Sequence, residues 1–187
     1  MRRVLEVTNM NVGEIIFADC ANGSGIRVSV FVSGCTNRCP GCFQPETWAF
    51  DYGKPYDEAM EQRIMNELAK PYYRGLTILG GEPFEPSNQR ELVKLLRRVV
   101  KELPEKDIWM YTGFTYEEEL ASGGAKYTEV TDEILDSIDV LVDGRFILEK
   151  KNLALRFRGS ENQRIIDMKK TKAEGRVVLH PLNGSAK

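Results

Sequence analysis

The stretch "RVSVFVSGCTNRCPGC", Arg27 to Cys42, sets an apolar run of strand length directly against three cysteines. In "RVSVFVSG" the β-branched and aromatic residues follow one another without a helical stripe, which predicts a buried strand. The cysteines after it are spaced C-x3-C-x2-C at Cys35, Cys39 and Cys42, and the fourth, Cys20, lies outside the run. A buried strand that ends in a ligand-bearing loop suits a parallel α/β fold, where the carboxyl ends of the strands gather at one edge and bind ligands.

Outward from this stretch, strand and helix alternate. "DEAMEQRIMNELAK" places Met60, Ile64 and Leu68 on one helical face, and "GLTILGG", Gly75 to Gly81, returns as a strand. "SNQRELVKLLRRVVKEL" carries Leu92, Leu95, Leu96, Val99 and Leu103 at helical spacing behind a Ser87 or Asn88 cap and stops before Pro104. "DIWMYTG" is a third strand, Thr115 and Thr131 are expected to cap short helices, "DVLVDG" is a fourth strand, and "LALRFRGS" reads as a last extended piece. Helical crossovers of this length imply parallel pairing. A complete eight-fold barrel needs about 250 residues, so the 187 present suit an open or partial β/α barrel of roughly five or six mainly parallel strands. A doubly wound sheet is the alternative. The signatures "SGCTNRC", "GGEP", "YTGF" and "VDGRF" each follow a strand, so they are expected to surround one cavity.

The length suits a single domain over residues 1–187, with the cluster loop at 35–42 and a C-terminal tail from about 170 to 187. A net charge of −2 leaves no basic footprint for nucleic acid. The longest apolar runs are strand-sized, too short for a membrane span. "MRRVLEVTNM" lacks the apolar core of a leader, which places the chain in the cytoplasm, where thiols stay reduced. The charged stretches "KLLRRVVKELPEK" and "DMKKTKAEGR" read as solvated surface.

Crowding in one cytosolic loop argues against a disulfide framework. Structural zinc takes four ligands from separated pairs, and the only histidine, His180, sits near the C-terminus and reads as a surface residue. Cys20 reads as a small semi-buried side chain. Three thiolates suit a [4Fe–4S] cluster with one iron left open for a small molecule, whereas an electron carrier fills all four corners.

With "GGEP" (Gly80 to Pro83) following at strand-and-helix distance, the C-x3-C-x2-C loop resembles the radical S-adenosylmethionine superfamily. Two glycines let the backbone approach a ligand, and Glu82 or exposed carbonyls offer acceptors for the methionine ammonium; by itself the motif would be a glycine turn. Further stretches resemble the anaerobic ribonucleoside-triphosphate reductase activating proteins over most of the chain: "DCANGSGIR" with Ser24 in the place of a proline, "CPGCF", "KDIWMYTGF", "VLVDGRF" and "FRGSENQR". The resemblance implies a partial barrel of the radical S-adenosylmethionine type. It implies a [4Fe–4S] cluster on Cys35, Cys39 and Cys42, and S-adenosyl-L-methionine held at Gly41, Cys42, Phe43, Gly80, Gly81, Glu82 and Thr112. Asp143 and Arg145 stand where related activating enzymes carry Asp-x-Lys. The implied chemistry is reductive cleavage of the cofactor to a 5′-deoxyadenosyl radical, which forms a glycyl radical on the large catalytic subunit of anaerobic ribonucleotide reductase. An electron donor such as reduced flavodoxin is implied too. The alternatives are another small radical enzyme, of the pyruvate formate-lyase activase or deazapurine synthase kind, a ferredoxin-like electron carrier and a zinc-bound interaction domain.

Overall fold

The computed structural model describes residues 10–184. The N-terminal residues read for a leader, 1–9, and the end of the tail, 185–187, lie outside the described residues. Strand β1 (Asn11–Asp19) turns back to pair antiparallel with β2 (Arg27–Val32), which is buried at every position as its unbroken apolar run requires. The two-residue strand β3 (Lys54–Pro55) pairs with the start of β1. Helix α1 (Glu58–Leu68) then leads to β4 (Gly75–Gly80), α2 (Pro86–Glu102) to β5 (Asp107–Tyr111), and α3 (Thr131–Ser137) to β6 (Val140–Asp143). A hairpin-like return gives β7 (Arg164–Asp167), followed by α4 (Met168–Glu174).

The sheet order is β3-β1-β2-β4-β5-β6-β7. β2, β4, β5 and β6 pair in parallel, while β1, β3 and β7 pair antiparallel at the flanks. The fold is therefore α/β with a mixed seven-stranded sheet, against an expectation of five or six mainly parallel strands. β1 carries only the short run Ile15 to Ala18, mostly half-exposed, and β3 is too short to leave a pattern. Helices α1, α2 and α3 all bury Ile64, Leu68, Leu92, Leu96 and Ile134 against the same face, with Val28, Val30, Leu76, Ile78, Ile108 and Met110 of the strands. A doubly wound sheet carries helices on both faces, so that alternative falls. The residues between, Phe31, Leu79, Trp109 and Tyr111, belong to the other face by the two-residue period of a strand.

Four local expectations are corrected. Helix α2 starts at Pro86 behind Glu85, because proline at the first helical position has its φ already set; Asn88 donates instead to the carbonyls of Ser33 and Glu82, both at 2.9 Å. The residues after Thr115 form turns rather than a helix: its amide and hydroxyl both donate to the Glu119 carboxylate, closing one turn that the chain does not continue. Thr131 is the first residue inside α3, and its hydroxyl donates to Gln89 at 2.6 Å rather than capping. "LALRFRGS" forms no strand beyond an isolated bridge between Lys151 and Ser160, and Phe157 within it has φ of 55°.

The strand starts are tied together by Arg27, which has no exposed surface. Its guanidinium meets Asp107 at 2.6 Å and donates to Thr77 Oγ1 at 2.6 Å and to the Leu76 and Ser24 carbonyls at 2.8 and 2.9 Å. It also lies 5.4 Å from the Trp109 ring centre. One side chain thus joins the β1–β2 turn, β4 and β5. Removing one partner of a buried charge pair costs about 3 kcal/mol or more. Arg27→Met is expected to lower urea stability by that order, with Asp107→Asn, at the half-open end of the pair, lowering it less.

Candidate functional site

The strand ends position the cysteine loop through main-chain bonds. Beyond β2, the Ser33 amide donates to Asn11, Gly34 to Thr47 and Cys35 to Trp48, at 2.9, 2.8 and 3.2 Å, so the 3-10 turn Pro45–Trp48 holds the loop from outside. From the β4 side, Gly81 donates to the Val32 carbonyl at 2.7 Å and Glu82 to that of Gly34 at 2.8 Å. A Cβ at position 81 would stand 2.7 Å from the Gly34 oxygen and 2.9 Å from that of Thr47. The second glycine of "GGEP" is thus required by the close pass of two strand ends.

Glu82 is 1 % exposed, and four donors surround its carboxylate: the Phe84 amide at 2.9 Å, Thr112 Oγ1 at 2.8 Å, the Gly113 amide at 2.8 Å and Asn37 Nδ2 at 3.0 Å. Burial pushes its carboxyl up to about 7, against the pull of these donors. Burial and the nearby Glu82 charge also push the Cys35 thiol up to about 11; burial raises Cys39, with Arg145 pulling the other way. Such thiols are poor nucleophiles at neutral pH but suit metal ligation, in which the metal displaces the proton.

Cys35, Cys39 and Cys42 line one cavity of about 700 Å³. Gly80 to Glu82 from the end of β4, Tyr111 to Gly113 from the end of β5, and Gly144 and Phe146 beyond β6 share its wall, so all four strand-end signatures meet there. Of the expected cofactor residues, Gly41, Cys42 and Phe43 lie on this wall with Gly80, Gly81, Glu82 and Thr112. Asp143 and Arg145 do not. The Asp143 carboxylate is buried and taken up by Arg164, with an Nε–Oδ1 distance of 2.9 Å, and it accepts from the Tyr116 amide. Arg145 is exposed and donates to Asn37 Oδ1 at 2.9 Å, so it reaches Glu82 only through that amide.

Cys20 also touches the cavity and is exposed, not semi-buried. It follows the Asp19–Arg27 pair at the far end of β2 from the cysteine loop. Five residue steps of strand, about 16 Å, separate those ends, so Cys20 starts from the wrong end of the strand to join the other three. Among the described residues, no three His, Cys, Asp or Glu side chains are grouped as a site for a single metal ion. One zinc centre draws its thiolates onto one point at about 2.3 Å; an iron–sulfur cube gives each thiolate its own iron. Three cysteines on one cavity wall fit the cube. His180, expected at the surface, is half-buried, its ring edge toward Trp109 at 5.9 Å, and burial lowers its pKa.

A family model described as a 4Fe-4S single cluster domain matches residues 21–166. An anaerobic ribonucleoside-triphosphate reductase-activating protein of Escherichia coli is 38% identical over 156 residues, 82% of this chain and 96% of that protein. Proteins of the same name from Pasteurella multocida and Haemophilus influenzae are both 40% identical over 156 residues, covering 82% of this chain and 95% and 96% of their own length. This chain belongs to the family of anaerobic ribonucleoside-triphosphate reductase-activating proteins.

Several residues at the cavity have a role that their place in the sequence does not announce. Asn37 bridges Glu82 and Arg145 from inside the cysteine loop, and Tyr111, whose buried hydroxyl has no hydrogen-bond partner among the described residues, lines the cavity floor. Residues 151–159 form much of the remaining wall, with Leu153 75 % exposed. Spacing rules mark none of them, because each acts through a fold contact.

Gly81→Val is expected to displace the cysteine loop itself, seen as reduced iron uptake; normal uptake by the folded variant would show that the strand ends can part without loss. Glu82 gives a pH test. Its folded pKa, about 7, lies above its ordinary 4.5, so its contribution is full below pH 4.5 and is lost as pH rises to about 7. Relative to Glu82→Gln, the metal-free wild type should lose thermal stability across that window and run parallel above it.

Proposed function

We propose that this chain activates an anaerobic ribonucleotide reductase by radical S-adenosylmethionine chemistry. Cys35, Cys39 and Cys42 would hold a [4Fe–4S] cluster. The observation that carries the reading is the convergence of these three cysteines and the Gly80–Gly81–Glu82 turn on one cavity, in a member of this family. The 4Fe-4S domain match adds to it. Held by the three cysteines, the cluster would supply one electron to adenosylmethionine, giving methionine and a 5′-deoxyadenosyl radical that would take a hydrogen atom from a glycine of the reductase and leave as 5′-deoxyadenosine.

The residues of this chain bind and position. Glu82 lines the cavity wall, where its carboxylate would accept from the methionine ammonium. Thr112 and the Gly113 amide fix its orientation through their bonds. Gly41 and Phe43 stand at the mouth for the adenine, with Phe43 largely exposed. Arg145, through Asn37, offers positive charge near Cys39 and the methionine carboxylate. Asp143 would act at one remove by holding Arg164.

The open mixed sheet is read as the partial barrel of the radical S-adenosylmethionine type, forming a single domain. A side opening suits a substrate that is a loop of another protein, the large reductase subunit. The electron donor would be a reduced flavodoxin or its like, and the setting the cytoplasm.

Anaerobic reconstitution with iron and sulfide is expected to give a brown protein with about one cube per chain, lost in Cys35→Ala, Cys39→Ala and Cys42→Ala and kept in Cys20→Ala. With adenosylmethionine, a reductant and the reductase, a doublet electron paramagnetic resonance signal should appear and collapse to a singlet when the reductase carries α-deuterated glycine. Cofactor cleavage with no signal on any reductase tried would favour a small-molecule substrate instead.

A further inference from the structure

Behind the cysteine loop lies a half-buried ion pair that the reaction above does not use. Glu85, 3 % exposed, caps α2 and turns its carboxylate back onto the loop. Oε1 accepts from the Thr36 amide at 2.8 Å and from the Thr36 hydroxyl at 2.5 Å. Oε2 accepts from Lys126 Nζ at 2.8 Å, and the same ammonium donates to Thr36 Oγ1 at 3.0 Å. Glu85 and Thr36, 41 and 90 positions from Lys126 along the chain, are thereby closed with it into one ring next to Cys35.

Lys126 is itself held. Its ammonium lies 4.9 Å from the Phe114 ring centre, its carbonyl accepts from Gln89 Nε2 at 2.8 Å, and its amide donates to Glu119 at 3.0 Å. The connection between β5 and α3 is thus fixed to α2, and through Lys126 to the cysteine loop. Arg38 belongs to the loop itself, and Arg145 stands on the Cys39 side. On the Cys35 side stand two carboxylates, Glu82 and Glu85, and Lys126 is the cation paired with the second.

We propose that Glu85 and Lys126 are positioning residues: the carboxylate fixes the amide beside Cys35 and so the direction of that thiolate, and the ammonium offsets the carboxylate charge beside the cluster. Partners one shell out orient metal ligands and tune the metal, and a cluster's potential responds to hydrogen bonding and net charge around it. A negative charge added near the cluster opposes reduction, and a positive one favours it. The inference rests on the reading of Cys35, Cys39 and Cys42 as cluster ligands.

The test has two arms. In metal-free protein, Glu85→Ala removes the acceptor from the Thr36 amide, whose hydrogen exchange should quicken about tenfold; thermal unfolding checks that the variant is folded. In reconstituted protein, Glu85→Gln keeps an acceptor and removes a negative charge, so the midpoint potential read by redox titration should rise. Lys126→Met keeps the stem and removes the positive charge, so the potential should fall. A merely structural pair would not move the two potentials in opposite directions. Unchanged exchange at Thr36, or potentials that stay put or shift the same way, overturns the inference. Should the wild type take up no cluster, the ligand reading falls instead, and exchange at Thr36 still decides the clamp.

Discussion

The site depends on the close pass of two chain segments: the turn after β4 lies against the first residues beyond β2, with Gly81 and Glu82 donating to Val32 and Gly34. These two bonds continue the parallel ladder past the ends of both strands, so the cysteine loop and the acidic turn leave the sheet as one unit. A side chain at position 81 would drive the segments apart. The distance between the thiols and the Glu82 carboxylate is therefore set by main chain, which has few ways to vary, and not by side-chain choice.

Around this junction the polar groups are arranged by depth. Arg27 and its partners lie buried at the starts of the strands, Phe31, Leu79 and Tyr111 follow near their carboxyl ends, and Glu82, Thr112 and the cysteines lie just beyond those ends. The charge at the bottom is matched and saturated, which stiffens the floor. At the top, a carboxylate surrounded by donors and thiols raised by burial are groups whose protonation a ligand can change. Rigidity and responsiveness are thus kept at opposite ends of the same four strands.

The sequence made the central strands legible because each is an apolar run bounded by glycine or a charged residue, and it made their order of function legible because each ends in an odd polar signature. It did not reveal β1, whose half-exposed residues alternate poorly, or β3, which is two residues long. Caps were misplaced where a side chain found a tertiary partner: Asn88 went to Ser33 and Thr131 to Gln89. In the site, Cys35, Gly81 and Glu82 were visible as motif letters. Asn37, Glu85 and Lys126 were not, since their partners are brought near only by folding. Asp143 could be placed at a strand end, but not the fact that its carboxylate turns to Arg164.

The two ends of the sheet differ from its centre in a way that bears on association between copies. β3 offers only Lys54 and Pro55 as an edge, and proline has no amide to extend a ladder. The outer side of β7 is covered by the chain at 178–180, through bonds from Asp167 to Val178 and from His180 to Ile165. The two margins are thus unlike: the β7 side is paired along its length, whereas β3 covers only Asn11 and Val12 of β1 among the described residues. Strand-to-strand association between copies would therefore have to run along β1, and the β7 margin leaves no ladder for it to extend.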